Sequence, residues 1–138
     1  MEPKKPREKA VPRPGPVSEA FWEGTRQHRF MLQYDPKADS YQFFPRGISM
    51  YGTAQLEWRE ASGAGTLVAH TLCRTPAPGF EGDVPYLIGL VQLREGPRIF
   101  AQIVGTRFED LKIGAPMQLV WDDTRKDYPI YQFQPGTV

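Results

Sequence analysis

The feature that most restricts the fold of this chain is a series of short apolar runs in its second half. The runs are rich in β-branched residues, and glycine, proline or aspartate bounds each of them. They cover residues 65–73, 86–93, 98–104, 117–122 and 128–133. Runs of this length and composition predict β-strands. Their number predicts a small closed Greek-key barrel of the OB type over residues 61–138, although the pattern alone also fits other small barrels.

Two connections support this interpretation of the second half. The stretch Arg94-Glu95-Gly96-Pro97 separates the second and third runs and has the composition of a tight hairpin turn. Residues 106–114 separate the third and fourth runs and end on glycine, which predicts a short helical or turn connection.

The first part of the chain has a different character. Residues 1–16 are rich in proline, lysine and arginine and contain no aromatic residue, so they cannot bury enough apolar surface to order themselves. We expect a disordered tail there, with a basic arm for an acidic partner as the alternative.

Residues 17–29 predict a helix, with Ser18 as its N-cap. Its two adjacent rings, Phe21 and Trp22, suggest a helix that faces partly the core and partly a partner.

Composition excludes several classes of protein. A formal net charge of +1 argues against a duplex-DNA binder, which normally carries a basic excess. No apolar run approaches the roughly 20 residues that span a bilayer, and no secretory leader is evident. Cys73 is the single cysteine, so no internal disulfide can form, and we expect it to be a small core residue. These observations favour a cytoplasmic protein without a membrane partner.

The segment 30–58 is the least usual part of the sequence. It contains a turn at residues 34–37, a short aromatic strand at 41–44 and a second turn-like stretch after Gly47. Small segments of this layout usually depend on a metal or a disulfide, yet this one contains neither cysteine nor histidine.

Several short motifs follow one another in a characteristic order and spacing. They are Phe21-Trp22-Glu23-Gly24, Phe43-Phe44-Pro45-Arg46, Leu56-Glu57-Trp58, Ser62-Gly63-Ala64-Gly65-Thr66 and Lys112-Ile113-Gly114-Ala115-Pro116-Met117. With them, the chain resembles the acyl-CoA-associated OB-fold family from about residue 18 to residue 133. The resemblance implies a mainly β protein with an N-terminal helix and a rubredoxin-like zinc-ribbon segment over residues 17–60, followed by the OB barrel.

The resemblance also shows what this ribbon lacks. The family's two Cys-x-x-Cys pairs correspond to positions near Asp35, Ala38, Ser49 and Gly52. Only Asp35 could bind a metal, and one carboxylate cannot form a closed tetrahedral zinc site. We therefore expect a degenerate ribbon without zinc. Aromatic side chains are expected to pack where the metal would lie, and they are Tyr34, Tyr41, Phe43, Phe44 and Tyr51.

The function that the resemblance implies is that of a non-catalytic accessory subunit. Its partner would be a thiolase-like, aldolase-like or hydratase-like large subunit that acts on acyl-CoA, and the small subunit would help to form the substrate channel. The residues implied to contact acyl-CoA are Arg74, Pro78, Gly79 and Phe80. The residues implied to contact the partner are Phe21, Trp22, Phe43, Phe44 and Arg46. The alternative for the loop at 74–86 is a stiff connection whose Phe80 packs on its own barrel.

No catalytic residue can be assigned from the sequence. His28 and His70 are expected to be surface or core histidines, and no Gly-x-Ser-x-Gly, P-loop or dinucleotide motif is present. An alternative function is single-stranded nucleic-acid binding on an OB barrel, for which Trp58, Phe100 and Phe108 could supply stacking surfaces. The near-neutral net charge makes nucleic-acid binding less favoured than the accessory-subunit function. The third hypothesis is an independent enzyme.

Overall fold

The computed structural model describes residues 7–136, and this part of the chain is mainly β. In the front half, helix α1 spans Glu19–Arg26, and strands β1, β2 and β3 span Met31–Asp35, Ser40–Gln42 and Glu57–Glu60. In the back half, β4 spans Ala64–Cys73, β5 Tyr86–Leu93, β6 Arg98–Ile103, β7 Pro116–Asp122 and β8 Ile130–Pro135. A 3-10 turn, Phe108–Asp110, lies between β6 and β7. The predicted fold class is confirmed.

The five back strands close into a barrel in the order β4-β5-β6-β8-β7. All neighbours are antiparallel except β6 and β8, which pair in parallel through Ile103 and Phe133. A bulge between Leu67 and Ala69 bends β4, which lets that strand pair with both β5 and β7. This is the strand order of a five-stranded Greek-key barrel of the OB type.

Alternation along the strands fills the barrel. In β6, Ile99, Ala101 and Ile103 point inward and are buried, whereas Arg98 and Phe100 point outward. The 3-10 turn and the hairpin after β5 also form as the sequence predicts. In the hairpin, the Gly96 amide donates to the carbonyl of Leu93.

The front strands form a separate sheet, which we call the ribbon, in the order β2-β1-β3. The central strand β1 is buried over four of its five positions because it has a neighbour on each side. The predicted aromatic strand at 41–44 is shorter than expected, since β2 ends at Gln42. Phe43 and Phe44 begin a long loop that runs to β3.

Helix α1 joins the ribbon to the barrel. Phe21 is 2% exposed and packs against Phe30, Phe43 and Tyr131, so one aromatic cluster connects the helix, the ribbon and β8. Ser18 is the N-cap residue, as predicted, but its hydroxyl accepts a hydrogen bond from the backbone N–H of Gly15 and makes no capping hydrogen bond to the helix.

The helix is also shorter than predicted. The amides of Gln27, His28 and Arg29 turn back to the carbonyls of Gly24 and Thr25, which ends the helix before residue 29. His28 takes a positive φ of 56°, a conformation that cannot continue an α-helix.

The predicted disorder of residues 1–16 falls partly on residues 1–6, which lie outside the described residues. Residues 7–16 carry no helix or strand. Lys9 and Ala10 nevertheless contact the barrel loops through a salt bridge and a hydrogen bond. Across the described range, no helix combines the length and the apolar character that crossing a membrane requires.

Candidate functional site

The ribbon contains a buried network of polar side chains. The side-chain amide of Gln42 donates to the side-chain oxygen of Gln33 over 2.7 Å. Gln33 in turn accepts from the Arg46 amide and donates to the Arg46 carbonyl, while Gln42 accepts from the Met50 amide. Both glutamines are only 5% exposed. The network fixes the backbone of the loop between β2 and β3, because each glutamine binds main-chain groups of that loop.

Asp35 and Ser49 occupy two of the positions at which the resemblance implies zinc ligands. The Asp35 carboxylate accepts the backbone N–H groups of Lys37 and Ala38, at 2.9 and 3.2 Å. Burial acts to raise the pKa of Asp35, but stabilisation of the carboxylate by the Ser49 hydroxyl and by those two amides outweighs it, so the pKa lies below its ordinary value. The second carboxylate oxygen is buried without a hydrogen-bond partner among residues 7–136.

Ser49 organises the second turn in the same manner. Its hydroxyl oxygen accepts the backbone N–H groups of Tyr51 and Thr53, at 3.1 and 3.2 Å. The Ser49 amide also donates to the carbonyl of Thr53 over 2.8 Å. Each turn is therefore closed by one buried oxygen that collects two backbone donors.

This donor set does not fit zinc. A carboxylate and a hydroxyl are the only side-chain donors at the four positions, since Ala38 and Gly52 offer none. Within residues 7–136, no group of three or more histidine, cysteine, aspartate or glutamate side chains could hold a metal ion.

The expectation that five rings replace the metal is only partly correct. Tyr34 and Tyr41 pack together at 4.9 Å inside the ribbon, and Phe43 joins the core. Phe44 and Tyr51 are each 65% exposed, so they do not pack inside the ribbon. The side chains of Gln33 and Gln42 are buried there instead, and these two rings lie on the surface.

The same loop presents an unusual exposed surface. Four large apolar side chains on it lie more than half exposed, and we call them the ribbon-loop patch: Phe44, Ile48, Met50 and Tyr51. A cleft of ≈ 400 Å³ separates Met50 and Tyr51 from the β5–β6 hairpin, where Glu95 and Arg98 line it. Clustered exposed apolar residues of this kind mark interaction surfaces.

The five residues that the resemblance implies to contact a partner differ in how far they are exposed. Phe21 is buried in the core and presents no free surface, whereas Phe43 is partly buried against the core and also lines the cleft. Trp22 is partly buried and contacts Tyr128 at 5.7 Å. Phe44 and Arg46 are exposed on the loop. Sequence reasoning missed Ile48 and Met50, which share the patch and are recognisable only as apolar residues in a loop.

The loop implied to contact acyl-CoA lies between β4 and β5. Arg74 and Pro78 are exposed on it, whereas Phe80 is partly buried and its ring lies 5.6 Å from that of Tyr86. Packing of Phe80 on Tyr86 agrees with the alternative interpretation of this loop. The structure also brings two cations to the Phe80 ring. Lys9 Nζ lies 4.7 Å from its centroid and the Arg125 guanidinium 5.5 Å, and no sequence pattern links these residues.

The two histidines lie apart from these surfaces. The His28 ring stacks on Trp121 at 5.4 Å, and its Nε2 lies 2.6 Å from an Asp123 oxygen at the exposed surface. His70 contacts the Phe108 ring at 5.4 Å, and its Nδ1 is buried without a hydrogen-bond partner. A histidine–carboxylate pair next to a nucleophile is therefore not assembled among the described residues.

The comparisons with known proteins agree with this architecture. A family model described as "ChsH2, C-terminal OB-fold domain" matches residues 58–122. A "DUF35 domain-containing scaffold protein" of Pyrococcus furiosus is 39% identical over 108 residues, which is 77% of this chain and 76% of that protein. The chain belongs to the DUF35 family. This confirms the resemblance to the acyl-CoA-associated OB-fold proteins.

Two further similarities link this DUF35 chain to larger enzymes. A "Probable enoyl-CoA hydratase alpha subunit" of Thermomonospora curvata is 30% identical over 124 residues, which is 85% of this chain but only 37% of that protein. A solved structure described as "Ltp2-ChsH2(DUF35) aldolase" superposes with a TM-score of 0.82 at 25% identity. The match covers 92% of this chain and 100% of that one.

Proposed function

We propose that this DUF35 protein is a non-catalytic accessory subunit of an acyl-CoA-processing complex. Its partner is a thiolase-like, aldolase-like or hydratase-like large subunit. The observation that carries the proposal is the likeness over the full length of a DUF35 chain that belongs to an aldolase. The hydratase-related name of a second relative supports the same class of partner.

The ribbon-loop patch is the surface that docks the large subunit. Phe44 and Tyr51 place aromatic rings in solvent, and such rings are the residues that most often anchor protein interfaces. The Gln33–Gln42 pair holds the backbone of their loop from inside. A loop that is already ordered loses less conformational entropy on binding, which favours docking.

The proposed role in the reaction is to shape the site and not to react. The small subunit closes one wall of the acyl-CoA channel and excludes water from the thioester, while the large subunit supplies the reacting groups. The loop between β4 and β5 contributes to this wall through Arg74, Pro78, Gly79 and Phe80. Arg74 forms no hydrogen bond or ion pair within residues 7–136, so its guanidinium is free to meet a phosphate.

No zinc takes part in this proposal. One Asp35 oxygen and the Ser49 hydroxyl oxygen accept backbone amides, and the second Asp35 oxygen is buried without a hydrogen-bond partner in the described part of the chain. A single carboxylate beside one hydroxyl is not a set of zinc donors. Elemental analysis of the purified protein should find no stoichiometric zinc, and about one zinc per chain would contradict this. We place the complex in the cytoplasm, a compartment in which a single cysteine stays reduced.

A co-purification experiment tests the docking role. The large subunit is first identified by native mass spectrometry of the untagged protein from its host. Phe44→Ser and Tyr51→Ser should then each reduce recovery of that subunit. The matched control is Phe100→Ser, because Phe100 is equally exposed at 68% but lies on the barrel strand β6. If Phe100→Ser breaks the complex and the two ribbon variants do not, the docking surface is wrongly assigned.

The nucleic-acid alternative gains no support from the ring positions. Trp58 packs against the core, whereas Phe100 and Phe108 are 68% and 41% exposed, and the Phe108 ring contacts His70. Stacking of successive bases requires several accessible rings along one groove.

A further inference from the structure

Residues 8–10 cross the loop between β4 and β5, and we call them the N-terminal strap. A β-carbon on Gly79 would lie 2.6 Å from the backbone nitrogen of Lys9 and 2.7 Å from its α-carbon. Gly79 also has a φ of +91°, which glycine adopts without strain. The glycine therefore lets the backbone of the strap lie directly on the loop that is proposed to contact acyl-CoA.

The side chain of Lys9 holds the strap in place. Its Nζ lies 2.6 Å from an Asp83 oxygen and 4.7 Å from the centroid of the Phe80 ring. The two charged side chains are 30% and 41% exposed, so water screens both contacts. An ion pair and a cation–π contact in such a setting are weak, and other charged groups can replace them.

Arg125, which lies in the loop between β7 and β8, contacts both the strap and the Phe80 ring. Its guanidinium lies 5.5 Å from the Phe80 centroid and donates a 2.8 Å hydrogen bond to the carbonyl of Ala10. Arg125 forms no ion pair with a carboxylate among the described residues. The Ala10 carbonyl thus occupies a donor that would bind a phosphate oxygen more strongly.

We propose that the N-terminal strap is a displaceable cover over this loop, which competes with the phosphate-bearing CoA portion of acyl-CoA. The inference rests on the proposed function. Three groups of the loop region that CoA could use are already engaged by the strap: the Phe80 ring by the Lys9 ammonium, Arg125 by the Ala10 carbonyl, and Gly79 by the strap backbone. Arg74 is not engaged by the strap, so full contact of CoA with this loop requires the strap to leave the other three.

Hydrogen exchange in the ligand-free, full-length chain tests the cover itself. Lys9→Ala removes both contacts of the side chain, and Arg7→Ala is the matched control. Arg7 carries the same charge, is exposed, and forms no hydrogen bond or ion pair among the described residues. Loss of two weak contacts should speed exchange of the Phe80 and Asp83 amides roughly tenfold in Lys9→Ala. Equal exchange rates in Lys9→Ala and Arg7→Ala would overturn the cover.

Isothermal titration calorimetry with coenzyme A tests whether the strap competes with the ligand. Lys9→Ala should bind coenzyme A roughly tenfold more tightly than Arg7→Ala, since only the former has released the strap. Equal affinity of all variants, or weaker binding by Lys9→Ala, would overturn the competition and leave the ligand role of the loop intact. If no variant binds coenzyme A, alone or with the large subunit, the ligand role fails as well.

Discussion

Asp35 and Ser49 each accept two backbone N–H groups of their own turn, and the Ser49 hydroxyl helps to lower the pKa of Asp35. These residues stand at positions where the family resemblance implies zinc ligands. Each of these two positions therefore supplies an oxygen that closes its turn by accepting backbone amides.

The lowered pKa of Asp35 predicts a specific acid sensitivity. The unfolded carboxyl titrates near its ordinary 3.8 and the folded one below it, so its stabilisation is complete above 3.8 and disappears as pH falls through the lowered value. Asp35→Asn should lower Tm at neutral pH, and the difference from wild type should shrink below about pH 4.

Differential scanning calorimetry across that pH range measures the effect of Asp35→Asn. Glu19→Gln is the control, because Glu19 is an exposed carboxylate that forms no ion pair among the described residues. A difference in Tm between Asp35→Asn and wild type that stays constant with pH would contradict the linkage.

The buried glutamine pair should be important for the stability of the ribbon. Gln42→Ala leaves the Met50 amide without its partner and removes one of the hydrogen bonds to the Gln33 oxygen, which should cost about 1–3 kcal/mol of unfolding free energy. Chemical denaturation measures the cost. The control is Gln102→Ala, which removes a less buried glutamine pair on the barrel, with Gln132 at 3.1 Å. An equal or larger loss for Gln102→Ala would show that the ribbon pair has no special role.

Close packing explains why the Phe21-Trp22-Glu23-Gly24 motif ends in glycine. A β-carbon there would lie 2.6 Å from Met31 Cγ and 2.9 Å from the Arg29 carbonyl oxygen. Gly24→Ala should lower the unfolding free energy by about 1–3 kcal/mol, even though alanine favours helices by about 1 kcal/mol. Urea unfolding measures this. Gly47→Ala, where nothing lies within 4 Å of the new β-carbon, should be nearly neutral. Stabilisation by Gly24→Ala would disprove the close contact.

Tyr131 should weaken the fold at high pH. Burial raises its pKa to about 12 in the folded chain, whereas the unfolded side chain ionises near 10. The unfolded state therefore loses the proton first, and stability falls by about 1.4 kcal/mol per pH unit between these values.

Replacing Tyr131 by phenylalanine should abolish the loss of stability that ionisation of its hydroxyl causes at high pH. Tyr131→Phe keeps the ring contacts with Phe21 and Phe30, and it should unfold like wild type near pH 8. At pH 11 the variant should be the more stable protein in urea unfolding. Parallel losses in the two proteins between those pH values would refute the assignment.

The barrel could be predicted from the sequence because its signal is local. Alternation in β6 places Ile99 and Ile103 inside and Phe100 outside, and turn residues bound every strand. The helix and its N-cap Ser18 were predicted for the same reason, but its end was not. Residues 27–29 have acceptable helical composition, and only the carbonyls to which their amides return decide where the helix ends.

The candidate site could be predicted much less well. The sequence by itself determined that the ribbon lacks thiolate ligands and that its loops carry many rings. Only the tertiary structure decided that Tyr34 lies inside and Phe44 outside, that Gln33 meets Gln42, and that Lys9 and Arg125 converge on Phe80. These contacts join residues on different loops. Periodicity reports which face of a strand is buried, but it contains no information about which distant side chains meet across the fold.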